Sequence, residues 1–226
     1  MSFFTSLTKN AKLNSTIKQT AEARKSEGSK ADQLFKSVYK SYAEILSGDS
    51  LRAQALYNWG FALLHEAKTK TGDEAARIYQ DAIDKFSFCM LIEPNYLGAA
   101  IDGGVAFMDL ARLKAVDPND DLYEKARKQF EKANAIQAGT AFYNLACIYG
   151  LRDDKEACLK ALENSRDKGS LPETVDILSD PDMGSVKDQL WFVEFVESLN
   201  EKPEEVAENK EPVVEELPAE KNLRNQ

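Results

Sequence analysis

Few side chains in this sequence could do covalent or metal chemistry. Its single histidine, His65, stands one turn after Phe61, with no neighbouring nucleophile or second imidazole to complete a triad or a metal site. The three cysteines, Cys89, Cys147 and Cys158, are odd in number and match no metal-ligand spacing. Each falls on an apolar helical face, where cysteine behaves as a small hydrophobe. Gly103-Gly104 lacks the lysine and flanking strand of a phosphate loop. "DPNDDLYEK" at Asp117–Lys125 opens with the carboxylates of a calcium loop, but no glycine stands at its sharp turn and Lys128 replaces the closing glutamate. It reads as a helix-capping loop. The paired carboxylates fall on helix surfaces, where charge serves solvation. The expectation is a protein that is not an enzyme, with no catalytic residue, no metal and no cofactor.

The chain has 226 residues and a formal charge of −9. So acidic a balance argues against nucleic acid as a partner, since gripping a phosphate backbone takes clustered Lys and Arg. No apolar run approaches the ~20 residues that span a bilayer. The longest, "FSFCMLI" at Phe86–Ile92, fits a buried helix face. Three free thiols point to a reducing compartment, so the expected location is cytoplasmic.

The elements that would position any site repeat. "LFKSVYKSYAEILS" from Leu34, "IYQDAIDKFSFCML" from Ile78 and "LYEKARKQFEKANA" from Leu122 start 44 residues apart. Their columns agree: Leu34, Ile78 and Leu122 are aliphatic; Tyr42, Phe86 and Phe130 are aromatic; Val38, Ala82 and Ala126 are small. The apolar steps of four, four and three residues make one stripe of an amphipathic helix. The segments between obey the same period. "LYNWGFALL" at Leu56–Leu64 lies above "AIDGGVAFM" at Ala100–Met108, so that Gly60 and Gly104 are 44 apart. A further copy, "FYNLACIYG" from Phe142, places Ala146 where the glycines were. Breakers at Ser47–Ser50, Lys70–Asp73, Glu93–Asn95, Asp117–Asp120 and Leu151–Asp154 separate the helices, and several end in a residue able to cap the next one.

A glycine inside a helix costs roughly 1 kcal/mol relative to alanine. Recurrence at one phase argues against a turn at Gly60 and Gly104. The spacing predicts helix crossings so close that a large residue of the paired helix, Phe86 or Phe130, sits against bare backbone. At Ala146 the smaller Leu162 is the expected partner.

"ALYNWGFALL" at Ala55–Leu64 and "AFYNLACIY" at Ala141–Tyr149 resemble the first helix of a tetratricopeptide repeat. Leu56 and Phe142 match its large position, Tyr57-Asn58 and Tyr143-Asn144 its Tyr-Asn pair, and Gly60 and Ala146 its small position. Ala82, Phe86, Cys89 and Pro94 match the second helix. The first two full repeats carry about ten extra residues between their helices, which should lengthen those helices. "ETVDILSDPDMGSVKDQLWFVEFVESL" at Glu173–Leu199 resembles the segment that closes bacterial arrays of this family. The resemblance implies an all-α fold, a right-handed α-solenoid of antiparallel helical hairpins with 44-residue extended repeats. The expected domains are a flexible polar arm at 1–29, a helical repeat domain of about three repeats plus capping helices at 30–199, and a disordered acidic tail at 200–226.

In stacked hairpins of this kind the first helices line the concave face. The expected groove residues are Gln54, Tyr57, Asn58, Phe61, Leu64, Ile101, Val105, Met108, Tyr143, Asn144 and Cys147. This set is aromatic and aliphatic, with almost no charge. Family members that grip the acidic ends of heat-shock chaperones use Lys, Asn and Arg in this face; here Tyr57, Phe61 and Ile101 stand instead, so that clamp is not expected. The leading reading is a protein-interaction adaptor or assembly chaperone that takes an amphipathic or hydrophobic protein segment in an uncharged trough. A second reading is a self-associating scaffold subunit that buries Trp191, Phe192 and Phe195 across a symmetric interface. A third is a membrane-associated adaptor held by Phe3, Phe4 and the early lysines.

Overall fold

The computed structural model describes residues 3–47 and 51–199. Helices follow in chain order: α1 (Phe3–Lys25), α2 (Gly28–Leu46), α3 (Arg52–Ala67), α4 (Gly72–Ile92), α5 (Leu97–Leu113), α6 (Asp121–Ile136), α7 (Phe142–Leu151), α8 (Lys155–Asp167), α9 (Thr174–Ser179) and α10 (Leu190–Ser198). A short 3₁₀ turn at Pro181–Met183 precedes α10, and no strand occurs among the described residues. Capping aspartates stand at two of the predicted breaks and at the start of the 3₁₀ turn. Asp120 accepts the Leu122 amide at 2.8 Å, Asp154 accepts that of Ala157 at 3.1 Å, and Asp180 accepts that of Asp182 at 2.9 Å. The lengthening expected of the first repeats is present: α3 to α6 run 16–21 residues, whereas α7 has 10 and α8 has 13.

The helices pack as successive pairs, α1 with α2, α3 with α4, α5 with α6 and α7 with α8, and each pair rests on the next. This is an all-α solenoid. Along the stack α1 lies against α3 and α3 against α5, while the second helices of the pairs make no comparable approach to one another. The first helices α1, α3 and α5 are therefore the closely spaced inner row, and the second helices lie further apart.

The predicted crossings hold the pairs together. A Cβ placed on Gly60 would stand 2.8 Å from the Phe86 ring, and one on Gly104 would stand 2.5 Å from the Phe130 ring. Both rings are fully buried. The chain accepts the helix cost of glycine because two buried aromatic rings bury more than ~1 kcal/mol each only if the helix axes close to ring thickness. At the third crossing Ala146 and Leu162 are both buried in the same core, and the Cys158 thiol donates to the Ala146 carbonyl at 3.4 Å.

The N-terminal stretch departs from expectation. A flexible arm was expected at 1–29, but α1 occupies most of that stretch and pairs with α2 as a hairpin like the others. Its contact is made by Leu13, Thr16, Thr20 and Ala23, all buried. Thr16 stands 44 residues before Gly60, and Tyr42 the same step before Phe86, so α1 is the first helix of one more repeat. Threonine can hold this buried place because Thr16 donates to the Lys12 carbonyl at 2.8 Å and Thr20 to that of Thr16 at 3.0 Å. The Thr20 and Tyr42 hydroxyls then meet at 3.1 Å. The side chains of Phe3 and Phe4, and the tail from Asn200, lie outside what the structure describes.

The closing segment corrects the second of the expected readings, self-association. Trp191, Phe192 and Phe195 are buried inside the chain, against the last repeat, and are not available for a symmetric interface. The edge of α10 that remains exposed carries Leu190 and Val193.

Gly104→Ala is expected to lower stability in urea unfolding by about 1–3 kcal/mol, even though the helix itself gains about 1 kcal/mol from alanine. Gly60→Ala should cost less, because its contact is looser. Adding Phe130→Leu to Gly104→Ala should recover part of the loss, although Phe130→Leu alone destabilises. A chain lacking residues 1–25 is expected to unfold at a lower urea midpoint; an unchanged midpoint would show that α1 does not contribute to the array.

Candidate functional site

The inner row of helices presents the expected groove residues in two groups. On α3, Tyr57 and Phe61 are half-buried with ring centroids 6.2 Å apart, and Phe61 meets the His65 ring edge-on at 4.5 Å. Tyr57 is braced from three sides. Its ring lies over Gly98 of α5, where a Cβ would be 2.8 Å away, and near Tyr96 at 4.9 Å and Phe86 at 6.1 Å. Tyr57 thus joins adjacent repeats. Gln54 is exposed, and its carbonyl accepts the Asn58 side-chain amide at 2.7 Å, which ties that amide to its own helix.

The second group surrounds a cleft of about 340 Å³. Val105 and Met108 of α5 line it together with Tyr143, Asn144 and Cys147 of α7. Arg112, Asp180, Pro181 and Asp182 complete the wall. The structure therefore brings five of the expected groove residues together around one opening. Ile101 is half-buried on α5 outside this cleft. Leu64 is a correction: it is buried in the core, at the phase that also buries Thr20 and Met108 one repeat away on either side.

The expected lack of charge is a second correction. Asp102 accepts a hydrogen bond from the Tyr57 hydroxyl at 3.1 Å, and Asp180 accepts one from that of Tyr143 at 2.9 Å. Two repeats thus carry the same device, a tyrosine of one layer donating to an aspartate of a later layer. Neither carboxylate has a cation within ion-pair distance among the described residues. Burial pushes the Asp102 carboxyl up, against the Tyr57 hydrogen bond, which pulls it down. Asp182 is buried and does have a cation: Arg112 Nε donates to its Oδ1 at 3.1 Å and Nη2 to its Oδ2. Arg112 Nη1 also reaches Asp109 at 2.7 Å. These charges follow from residues one or two positions off the apolar stripe, which apolar spacing alone passes over.

Cys147, Asp180 and Asp182 bring potential ligand atoms within 4.8 Å of one another. The arrangement does not suit a cation, because Arg112 already neutralises Asp182, and burial holds the Cys147 thiol protonated by pushing it well above its usual range. Burial likewise pushes the Cys89 and Cys158 thiols up to about 12. A larger opening, about 440 Å³, lies away from this face between α2, α3 and α4, where Lys85 stacks over Trp59 at 4.8 Å.

Residues 30–151, α2 into α7 and just over half of the chain, match the family described as plant-specific mitochondrial import receptor subunit TOM20. No curated protein and no solved structure matches the chain.

Asp182→Asn is expected to destabilise the protein by about 1–3 kcal/mol, less than a fully buried ion pair would lose, because the Arg112 side chain is 38% exposed. The loss should appear in urea or thermal unfolding and should shrink in the Arg112→Met/Asp182→Asn double variant, which strands no buried charge.

Proposed function

The chain belongs to the plant-specific mitochondrial import receptor subunit TOM20 family, and from that premise we propose that it is a receptor that holds a segment of an incoming protein on the inner row of helices. The observation that carries this reading is the recurring tyrosine–aspartate pair beside apolar surface. Tyr57 with Asp102 and Tyr143 with Asp180 each set a carboxylate without a cation next to exposed aromatic edge. Such a face suits an amphipathic helix whose apolar side meets Phe61 and Val105 and whose flanking Lys or Arg side chains meet the two carboxylates. The formal charge of −9 favours the approach of a basic segment as well. Holding one chain segment for transfer is also what an adaptor does, so the sequence reading and the family agree at that level.

Family membership corrects the cytoplasmic placement expected from the cysteines; the family is one of mitochondrial import receptor subunits. The thiols misled because all three are buried and free, so they stay unpaired whatever the compartment. No described helix is long and apolar enough to cross a membrane.

The test is fluorescence anisotropy with a labelled amphipathic peptide of Leu, Lys and Arg. Tyr57→Ala/Tyr143→Ala should weaken binding by about tenfold or more. Asp102→Asn/Asp180→Asn should weaken it several-fold and flatten its salt dependence, since it removes charge with little change of shape. Undiminished binding in both variants, each shown by circular dichroism to be folded, would refute the site.

A further inference from the structure

The ends of the inner helices carry a ladder of cations. Arg24, Lys68 and Arg112 stand 44 residues apart, one in each of the first three repeats. The upper two rungs are filled by carboxylates from further along the chain: Lys68 Nζ lies 3.4 Å from Asp109 of α5, the next layer, and Arg112 pairs with Asp109 of its own helix and with the buried Asp182 of the turn beyond α9. At the lowest rung the corresponding residue of the next layer is not an acid. His65 stands 44 residues before Asp109, at the same phase, and Arg24 faces it.

The result is a basic recess in an acidic protein. Ala21, Arg24 and Lys25 of α1 and His65 and Thr69 at the end of α3 line an opening of about 250 Å³. The Arg24 guanidinium stacks over Phe61 at 4.9 Å, which fixes it at the mouth of the recess and beside the aromatic edge of the groove. Arg24 and Lys25 have no carboxylate partner among the described residues, and Lys68 is engaged by Asp109. His65 registers the local field: burial, then Arg24 and Lys68, depress its pKa to about 4.

We propose that this recess is a carboxylate-binding site, the one rung of the ladder whose acid is supplied from outside the chain. Its ligand is a single carboxylate, seated between Arg24 and Lys25 with the His65 edge beside it. These are not the positions of the chaperone-binding clamp, which would fall on Tyr57, Phe61 and Ile101. Taken with the receptor function proposed above, the carboxylate belongs to the same bound segment and fixes its direction along the inner row: acid at the α1 end, basic side chains toward Asp102 and Asp180.

The full chain contains one histidine, so imidazole NMR reads this site without assignment ambiguity. At neutral pH, where acetate is ionised, titration with sodium acetate should shift the His65 imidazole resonances by more than sodium chloride of equal ionic strength, and Arg24→Gln/Lys25→Gln should remove that excess. Indistinguishable acetate and chloride titrations would overturn the site, and a stronger response to inorganic phosphate than to acetate would overturn its assignment to carboxylates. A short alanine peptide with a free C-terminus, compared with its amide carrying one internal Glu, separates a chain end from a side chain; no response to either would overturn the protein-segment source. His65→Asp supplies the missing acid in the chain itself and should raise the thermal midpoint by about 1–3 °C. That gain should vanish when Arg24→Gln is added; a midpoint below the wild type would contradict the ladder. None of these measurements uses the amphipathic peptide, so the recess and the groove fail or stand separately.

Discussion

The array depends on how closely paired helices can approach. Phe86 and Phe130 lie flat against helix backbone only because Gly60 and Gly104 present none of their own side chain. Hydrophobic burial is non-directional and would be met by many packings. A ring seated on bare backbone is met by one, so these two contacts set both the spacing and the register of their hairpins.

The inner face is not the uncharged trough that residue counting suggests. Its aromatics are held by carboxylates. Tyr57 and Tyr143 each span two layers, ring on one side and hydroxyl donated to an aspartate on the other. Such side chains brace the stack and at the same time set negative charge beside apolar surface. This dual use explains why a repeat protein can carry acidic groups where it would hold a ligand without losing cohesion between layers. It also places the proposed ligand chemistry on the joints of the array, where one rigid layer meets the next.

The repeat, its crossings and the closing segment were legible because they rest on large apolar residues at fixed spacing. Gly60, Gly104, Phe86 and Phe130 declare themselves by recurrence alone. The first helix was not legible by the same test. Its contact uses Thr16 and Thr20, whose hydroxyls are satisfied within the helix and on Tyr42, so a genuine interface reads as polar. The 44-residue phase still held the signal: Thr16 precedes Gly60 by one full period. Of the residues expected on the inner face, Val105, Met108, Tyr143, Asn144 and Cys147 line one cleft, while Leu64 turns into the core. Asp102, Asp180 and Asp182 escaped notice because charged residues have no period of burial to betray them. Arg24 is hidden for a different reason: its helix is polar enough in sequence to look like an arm.

The bond between Arg112 and Asp182 joins residues 70 positions apart and passes over the whole of α7 and α8. It makes the last hairpin a wedge gripped from both sides, by the layer beneath and by the turn above. A solenoid with such a keystone has a direction of growth. Duplicated cassettes spliced in near Gly60 or Gly104 would meet matching neighbours on either side and lengthen the curve. A cassette added after α8 would have to part the keystone first, leaving Asp182 with no counter-ion and the rings of α10 with nothing to close.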